Sequence, residues 1–173
     1  MPTKIIREFV WTEKSLDRNR LTLSYEPLQP YIFIELAKAI SADTIIDIGA
    51  NVGFYSVVLG SLSSVENIFS FEPIESAFEE LEKNVNLNNL TKKASLFNIA
   101  LSEIKDTIRM DVFGELSGAN SIATTSIHKT KTPVRTIKIK ADKLDSLVKL
   151  EGAVVAIKVD VEGHELEALR GAT

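Results

Sequence analysis

The chain is 173 residues long, 45% hydrophobic and free of cysteine, with 20 basic against 24 acidic side chains and a formal net charge of −4. That length suits one domain with a real core, and the missing cysteines exclude disulfide frameworks, thiolate metal sites and cysteine nucleophiles. The mildly acidic balance argues against a protein whose main work is non-specific nucleic-acid binding.

The opening residues, MPTKIIREFVWTEKS, mix charges every few positions and contain no apolar h-region, so they do not read as a secretory signal. No apolar run approaches a membrane span, and the expectation is a soluble, cytoplasmic domain. Residues 1–24 read as an N-terminal extension and residues 25–173 as the domain proper.

Leu28, Ile32, Leu36 and Ile40, with Phe33 and Ala37 beside them, recur at helical spacing, which predicts an amphipathic helix over residues 28–42. Pro27 and Pro30 fall at or before its first turn, where a missing N–H costs little. Residues 44–48 form a short apolar strand running into Gly49. Residues 53–62 return to helix, with Tyr55, Val58, Leu59 and Leu62 on one face. A second strand covers 67–72, and Pro73 opens a helix reaching about Asn89 with Phe78, Leu81 and Val85 inward. Residues 95–101 read as a third strand.

The pattern then changes. Residues 107–113 and 133–140 read as an antiparallel pair separated by a loop rich in Gly, Ser, Thr and Asn, with Ile137 and Ile139 alternating with polar neighbours as in a half-buried strand. A short helix over 142–150, a fourth core strand over 154–159 and a closing helix from His164 to Arg170, with Gly171 at its C-cap, complete the chain. Strand–helix alternation predicts an α/β fold: a parallel sheet with helices on both faces and an inserted β-hairpin.

In such sheets ligands bind at the carboxyl ends of the strands. The first end is Asp47-Ile-Gly49-Ala-Asn51-Val-Gly53, where two glycines let the backbone turn tightly and approach a ligand. It is not a dinucleotide fingerprint, since Asn51 and Phe54 stand where glycines are needed, which counts against a nicotinamide-dependent oxidoreductase. The second is Glu72, 25 residues beyond Asp47, placed to accept hydrogen bonds from both hydroxyls of a ribose. The third is the run from Asn98 to Ser102, where a purine edge could meet Asn98. The fourth is Lys158-Val-Asp160-Val-Glu162-Gly163-His164-Glu165, in which Asp160 or Glu162 either faces a ligand or caps the last helix. His164 reads more readily as a helix-face residue, and three adjacent polar residues make a poor metal site. The loop at 117–126 suits a substrate lid. Tyr25 and Glu26 are placed to cover a pocket. Lys129, Lys131, Arg135, Lys138 and Lys140 form a cationic segment that suits a solvated strand face better than an acidic substrate.

These segments, together with Phe71-Glu72-Pro73, Leu144-Asp145-Ser146-Leu147 and the run from Ile157 to Gly171, resemble the FkbM-type family of S-adenosylmethionine-dependent methyltransferases over residues 25–171. The resemblance implies a Rossmann-like class I methyltransferase fold and O-methylation of a hydroxyl on a sugar, glycolipid or secondary metabolite, with S-adenosyl-L-methionine as cofactor. It implies that Asp47, Gly49, Asn51 and Gly53 hold the methionine portion, that Glu72 holds the ribose and that Asn98 and Ala100 flank the adenine. Glu26, Ala50, Pro73 and Asp160 complete the cofactor site. Asp160 and Glu162 are the candidates for accepting the hydroxyl proton, and no metal is implied. Set against that family's seven-stranded sheet, the strands present imply a core order of 3-2-1-4 and three more are needed, so the chain reads as truncated after the fourth core strand, with residues 154–159 an edge through which it could self-associate. The alternative is a non-catalytic remnant that binds a nucleoside or a protein partner.

Overall fold

The computed structural model describes residues 8–18, 26, 28–124 and 132–173, so Tyr25, Pro27, Lys129, Lys131 and the distal part of the 117–126 loop lie outside the described residues. In chain order the elements are α1 (Glu13–Arg18), α2 (Gln29–Ala39), β1 (Thr44–Ile48), α3 (Phe54–Gly60), β2 (Asn67–Phe71), α4 (Glu75–Leu87), β3 (Ala94–Phe97), β4 (Ala100–Leu101), β5 (Asp106–Val112), β6 (Ser121–Ile122), β7 (Arg135–Asp142), α5 (Leu144–Leu147), β8 (Val155–Val159) and α6 (Glu165–Arg170). Among the described residues no helix is long and apolar enough to cross a membrane.

Two sheets form. The first is wholly parallel in the order β3-β2-β1-β8, the expected 3-2-1-4 arrangement of a Rossmann-like core, with Ile48 beside Phe71 on one side and Val159 on the other. Its central strand is buried along its whole length, as a parallel strand covered on both faces must be. Ile45 packs into a large cluster under α2, α3 and α4, whereas Ile46 and Ile48 join Leu144 and Ala168 beneath α5 and α6. The second sheet, β4-β7-β5-β6, contains the expected antiparallel pair, β5 with β7, in register from Asp106 opposite Ala141 to Val112 opposite Arg135.

Two expectations are corrected. The third strand is not continuous over 95–101: the chain leaves the first sheet after Phe97, breaks at Asn98 and Ile99, and re-forms as β4 paired with β7. Half-buried Leu96 and Phe97 and buried Ala100 and Leu101 flank the exposed Asn98, and a single polar residue between apolar ones carries no mark of the change of sheet. The face of α2 is also different. Leu28, Ile32, Leu36 and Ile40 are 49–66% exposed, while Ala37 is buried and Phe33 sits edge-on to the Tyr55 ring at 5.3 Å. The aromatic contact with α3 sets the rotation of the helix against its i, i+4 stripe.

The turn after β1 uses its glycines for self-packing. Gly49 has φ +75°, and a Cβ there would meet the Asp160 carbonyl oxygen at 2.0 Å. Gly53 has φ +85°, and its Cβ would meet Leu81 of α4 at 2.5 Å. On the Cβ side of these two positions the space is taken by Asp160, the residue after β8, and by helix α4, which approach the turn closely. Gly152 is a natural control: its φ is +76° but nothing lies within 4 Å of the would-be Cβ. Gly152→Ala should cost about 1–2 kcal/mol, the strain of the left-handed conformation alone. Gly49→Ala adds a backbone collision and should cost about 3–5 kcal/mol in urea melts. Equal costs would mean that β8 does not press on the turn.

Candidate active site

Glu72 follows the last residue of β2 and is 6% exposed. Its Oε2 accepts the Asn51 N–H at 2.8 Å and its Oε1 the Ile74 N–H at 2.8 Å. One carboxylate thereby fixes the turn after β1 and the entry to α4. The turn is held from the other side too, since Gly49 N–H and Ala50 N–H both donate to the Phe71 carbonyl at 3.0 Å. Asn51 completes it with φ +50°, a left-handed conformation that asparagine tolerates better than most residues.

Beneath the turn lies a buried charge network. Asp47 is fully buried, and its Oδ2 accepts from Ser56 N–H at 2.9 Å and from Ser56 Oγ at 2.7 Å. Ser56 spends its proton there, so the 2.8 Å contact between the hydroxyls of Ser56 and Ser70 must have Ser70 donating. The other Asp47 oxygen has no hydrogen bond and faces Lys158 Nζ at 3.4 Å. Lys158 donates to the Gly49 carbonyl at 2.9 Å and lies 3.8 Å from Asp160 Oδ2, with the Tyr55 ring centroid 5.4 Å away.

Above the turn is a cavity of about 610 Å³, within the range of cofactor and small-molecule sites. Its walls are Gly49 to Val52 with Phe54 and Tyr55, then Phe71 to Pro73, then Ile99 to Leu101, and Lys158 with Asp160, Val161, Glu162 and His164. The inserted sheet closes it with Met110, Ile122 and residues 114–118 and 120, so the near part of the loop expected as a lid does border the site. Glu26 lines it as well and accepts a hydrogen bond from the Tyr55 hydroxyl.

The structure thus brings together Glu26, Gly49, Ala50, Asn51, Glu72, Pro73, Ala100, Asp160 and Glu162 on one wall system. It leaves Asp47, Gly53 and Asn98 out of the lining. Asp47 sits below the floor, Gly53 receives α4, and exposed Asn98 donates its amide to the Glu72 carbonyl at 2.9 Å, tying the end of β3 to the end of β2. Ile99 and Leu101 flank Ala100 instead. The residue at the N-cap position of α6 is His164, not Asp160 or Glu162, and it makes no side-chain cap hydrogen bond. Glu165, the first residue of α6, accepts from Gly163 N–H at 3.1 Å and Val161 N–H at 3.3 Å and so ties down the loop before the helix. His164 is on the cavity wall and 5% exposed, with Nε2 3.1 Å from Ser102 Oγ, and burial lowers its pKa below the ordinary histidine value. Lys158 was not singled out by sequence reasoning. Its signal was available: a lysine inside an apolar strand of a sheet covered on both faces needs a buried partner. Among the described residues no group of three or more His, Asp or Glu side chains is arranged to hold a metal ion.

Comparison with known proteins bears on this site. The family model described as the methyltransferase FkbM domain matches residues 47–173. The hexuronic acid methyltransferase AglP of Haloferax volcanii is 32% identical over 149 residues, which cover 84% of this chain and 56% of the relative. The methyltransferase sdnD of Sordaria araneosa is 23% identical over 163 residues, covering 79% of this chain and 63% of the relative. The chain therefore spans between about half and two thirds of the length of these relatives. Among solved structures, an O-methyltransferase from Bacillus cereus in complex with SAH superposes with a TM-score of 0.39 and 23% identity, over 42% of this chain and 34% of that one.

Burial pushes the Glu72 carboxyl up to about 7, and buried Asp47 adds to the rise, while the N–H donors of Ile74 and Asn51 and the charge of Lys158 oppose it. The folded state therefore keeps this proton to higher pH than the unfolded chain. Stability is highest with respect to this group below its ordinary value of 4.5 and falls as pH rises from there toward 7. Glu72→Gln removes that titration. Between pH 5 and 8 the stability difference should move in favour of the variant by about 2–3 kcal/mol, whatever its starting offset. Chemical denaturation of both proteins at the two pH values measures it, and a pH-independent difference would place the Glu72 carboxyl at an ordinary pKa.

Proposed function

Since the chain belongs to the FkbM methyltransferase family, we propose that it carries a site for S-adenosylmethionine and moves a methyl group from it to a hydroxyl of a sugar, glycolipid or secondary metabolite. The observation that carries this reading is the way Glu72 is held. Each of its oxygens takes one backbone N–H, which leaves each with a further lone pair toward the cavity it lines. Two adjacent acceptors of that kind suit the two hydroxyls of a ribose. A carboxylate there also opposes a 2′-phosphate.

The rest of the lining fits the group in turn. The backbone of Gly49, Ala50 and Asn51 borders the cavity beside Glu26 and would hold the methionine portion. Ile99, Ala100 and Leu101 supply an apolar slot suited to a purine face, with Asn98 acting from behind through the Glu72 carbonyl. Asp47 acts from below, through Ser56 and Lys158, as a positioning residue. When bound, the cofactor supplies a methyl group activated on a sulfonium, which leaves the chain to align an acceptor oxygen and exclude water. Asp160 and Glu162 stand on the β8 side of the cavity, where either carboxylate would accept the hydroxyl proton as the oxygen–methyl bond forms and the sulfur–methyl bond breaks. The sugar class of acceptor draws support from the hexuronic acid methyltransferase relative.

Calorimetric titration with S-adenosylmethionine and its demethylated product is the test. Both should bind, Glu72→Ala should weaken binding by about 1.5–3 kcal/mol, the scale of lost charge-assisted hydrogen bonds, and wild-type affinity should rise as pH passes upward through about 7. With an acceptor in hand, Glu162→Gln should lower turnover by about 10²–10⁴-fold with cofactor affinity retained. No heat from either cofactor form with the folded chain would reject the reading in favour of a non-catalytic remnant.

A further inference from the structure

The inserted sheet reaches the cavity mainly through one loop. Residues 113–120 join β5 to β6, and Gly114 to Gly118 with Asn120 line the cavity. The loop holds its own shape. The Asn120 side chain spans its base, accepting the Phe113 N–H at 2.8 Å and donating to the Gly114 carbonyl at 2.9 Å. Ser117 N–H donates to that same carbonyl at 3.2 Å, and Ala119 N–H to Ser117 Oγ at 3.1 Å. A surface loop closed on itself in this way is a compact unit of the kind that often carries function. Where it lies is decided by what it is fastened to.

It is fastened at Glu115. One carboxylate oxygen, Oε1, lies 2.9 Å from the guanidinium of Arg135 on β7, while Oε2 and the Glu115 carbonyl both face Ser76 Oγ, at 2.8 Å and 2.9 Å. One side chain therefore ties the inserted sheet to the first turn of α4. Ser76 stands two residues after Ile74, whose N–H is held by Glu72, so the carboxylates of Glu72 and Glu115 hold the same end of that helix. The fastening is light. The Glu115 and Arg135 side chains are 44% and 52% exposed, and ion pairs that open to solvent add little to stability. Its loss leaves the loop's internal bonds and the β5–β7 pairing in place, so what it governs is the position of the loop.

That position is at one end of the cavity. The first sheet runs β3-β2-β1-β8. Helix α4 follows β2, and β5 belongs to the sheet that the chain enters after β3, whereas Asp160 and Glu162 follow β8 at the far side. We propose that Ser76 and Glu115 are positioning residues for the nucleoside half of the cofactor, holding residues 113–120 as the outer wall over the ribose and purine. The proposal rests on the methyl-transfer reading and assigns this loop to the cofactor instead of to a substrate lid. Leu116 suits the part: it is buried in one cluster with Met110 and Ile122, which also line the cavity, so this wall offers an apolar patch to a purine. Ser76 does not line the cavity and acts only through Glu115.

Two ligands separate the halves of the cofactor, S-adenosylhomocysteine for the whole and adenosine for the nucleoside alone. Titrations of wild type, Ser76→Ala, Glu115→Ala and the double variant should show both ligands weakened by the same factor, about three- to tenfold, the scale of one hydrogen bond. The double variant should lose no more than the worse single one, because both act through one contact. Ser76→Thr keeps the hydroxyl and should bind both ligands like wild type, which a role in packing alone would not produce. Unchanged affinities in the alanine variants, or additive losses in the double variant, overturn the proposal. So does a loss for S-adenosylhomocysteine without one for adenosine, which would set the loop over the amino-acid end of the cofactor. Each of these leaves the methyl-transfer reading intact. Failure of wild type to bind either ligand rejects that reading, and the proposal with it.

Discussion

The ammonium of Lys158, held between the Asp47 carboxylate and the Gly49 carbonyl, is the contact on which the rest of the site depends. It joins neighbouring strands of one sheet, since Asp47 and Lys158 are register partners on β1 and β8. A buried ion pair is weak evidence for stability, because desolvating both charges costs about as much as their attraction returns. What it contributes is position. The same ammonium grips the carbonyl of the residue that begins the turn, and the Asp47 oxygen left over holds the first turn of α3 through Ser56. Removal of either partner would leave an uncompensated charge under the cavity floor.

The turn above that pair is fastened by four neighbours. Phe71 accepts from two of its N–H groups, Glu72 from a third, Lys158 donates to its first carbonyl, and Asn84 of α4 donates to the Val52 carbonyl at 2.8 Å. Asn84 also donates to Ser15 Oγ and accepts the Thr12 N–H, so α4 and the segment at residues 8–18 are one unit. Trp11 adds a stacked contact with Phe54 at the start of α3, 5.7 Å between centroids. Residues 8–18 are thus part of the support for the turn. A cavity whose polar groups are fixed before any ligand arrives gives up little reorganisation on binding.

What was legible in the sequence was what short-range pattern determines. Strand ends are marked by the switch from apolar residues to Gly, Pro, Asp and Glu, and this located Gly49 to Asn51, Glu72, Asp160 and Glu162 on one cavity. Alternation at residues 136–140 revealed the antiparallel pair. The remainder is set by tertiary contacts. The aromatic pair Phe33–Tyr55 rotates α2 so that its aliphatic stripe faces outward, and the break at Asn98 and Ile99 depends on β7 arriving to pair with β4. Both glycines of the turn were recognised as necessary, but the atoms that need the room, Asp160 O and Leu81 Cδ1, come from 111 and 28 residues away in sequence. The resemblance implied that Asp47 holds the methionine portion, and in the structure its side chain is buried outside the cavity lining. Its direction is decided by Ser56 and Lys158, which no local pattern exposes.

Titration of the isotopically labelled chain with S-adenosylhomocysteine, followed through backbone amide shifts, tests the central claim most directly. If the cavity over the β1 turn is the cofactor site and Glu72 is its ribose clamp, the largest changes fall on Asn51 and Ile74, whose N–H groups share that carboxylate, and on Ile99 to Leu101. Changes centred instead on the shallow groove of Lys105, Thr107 and Lys140, with Asn51 and Ile74 unmoved, would contradict the account.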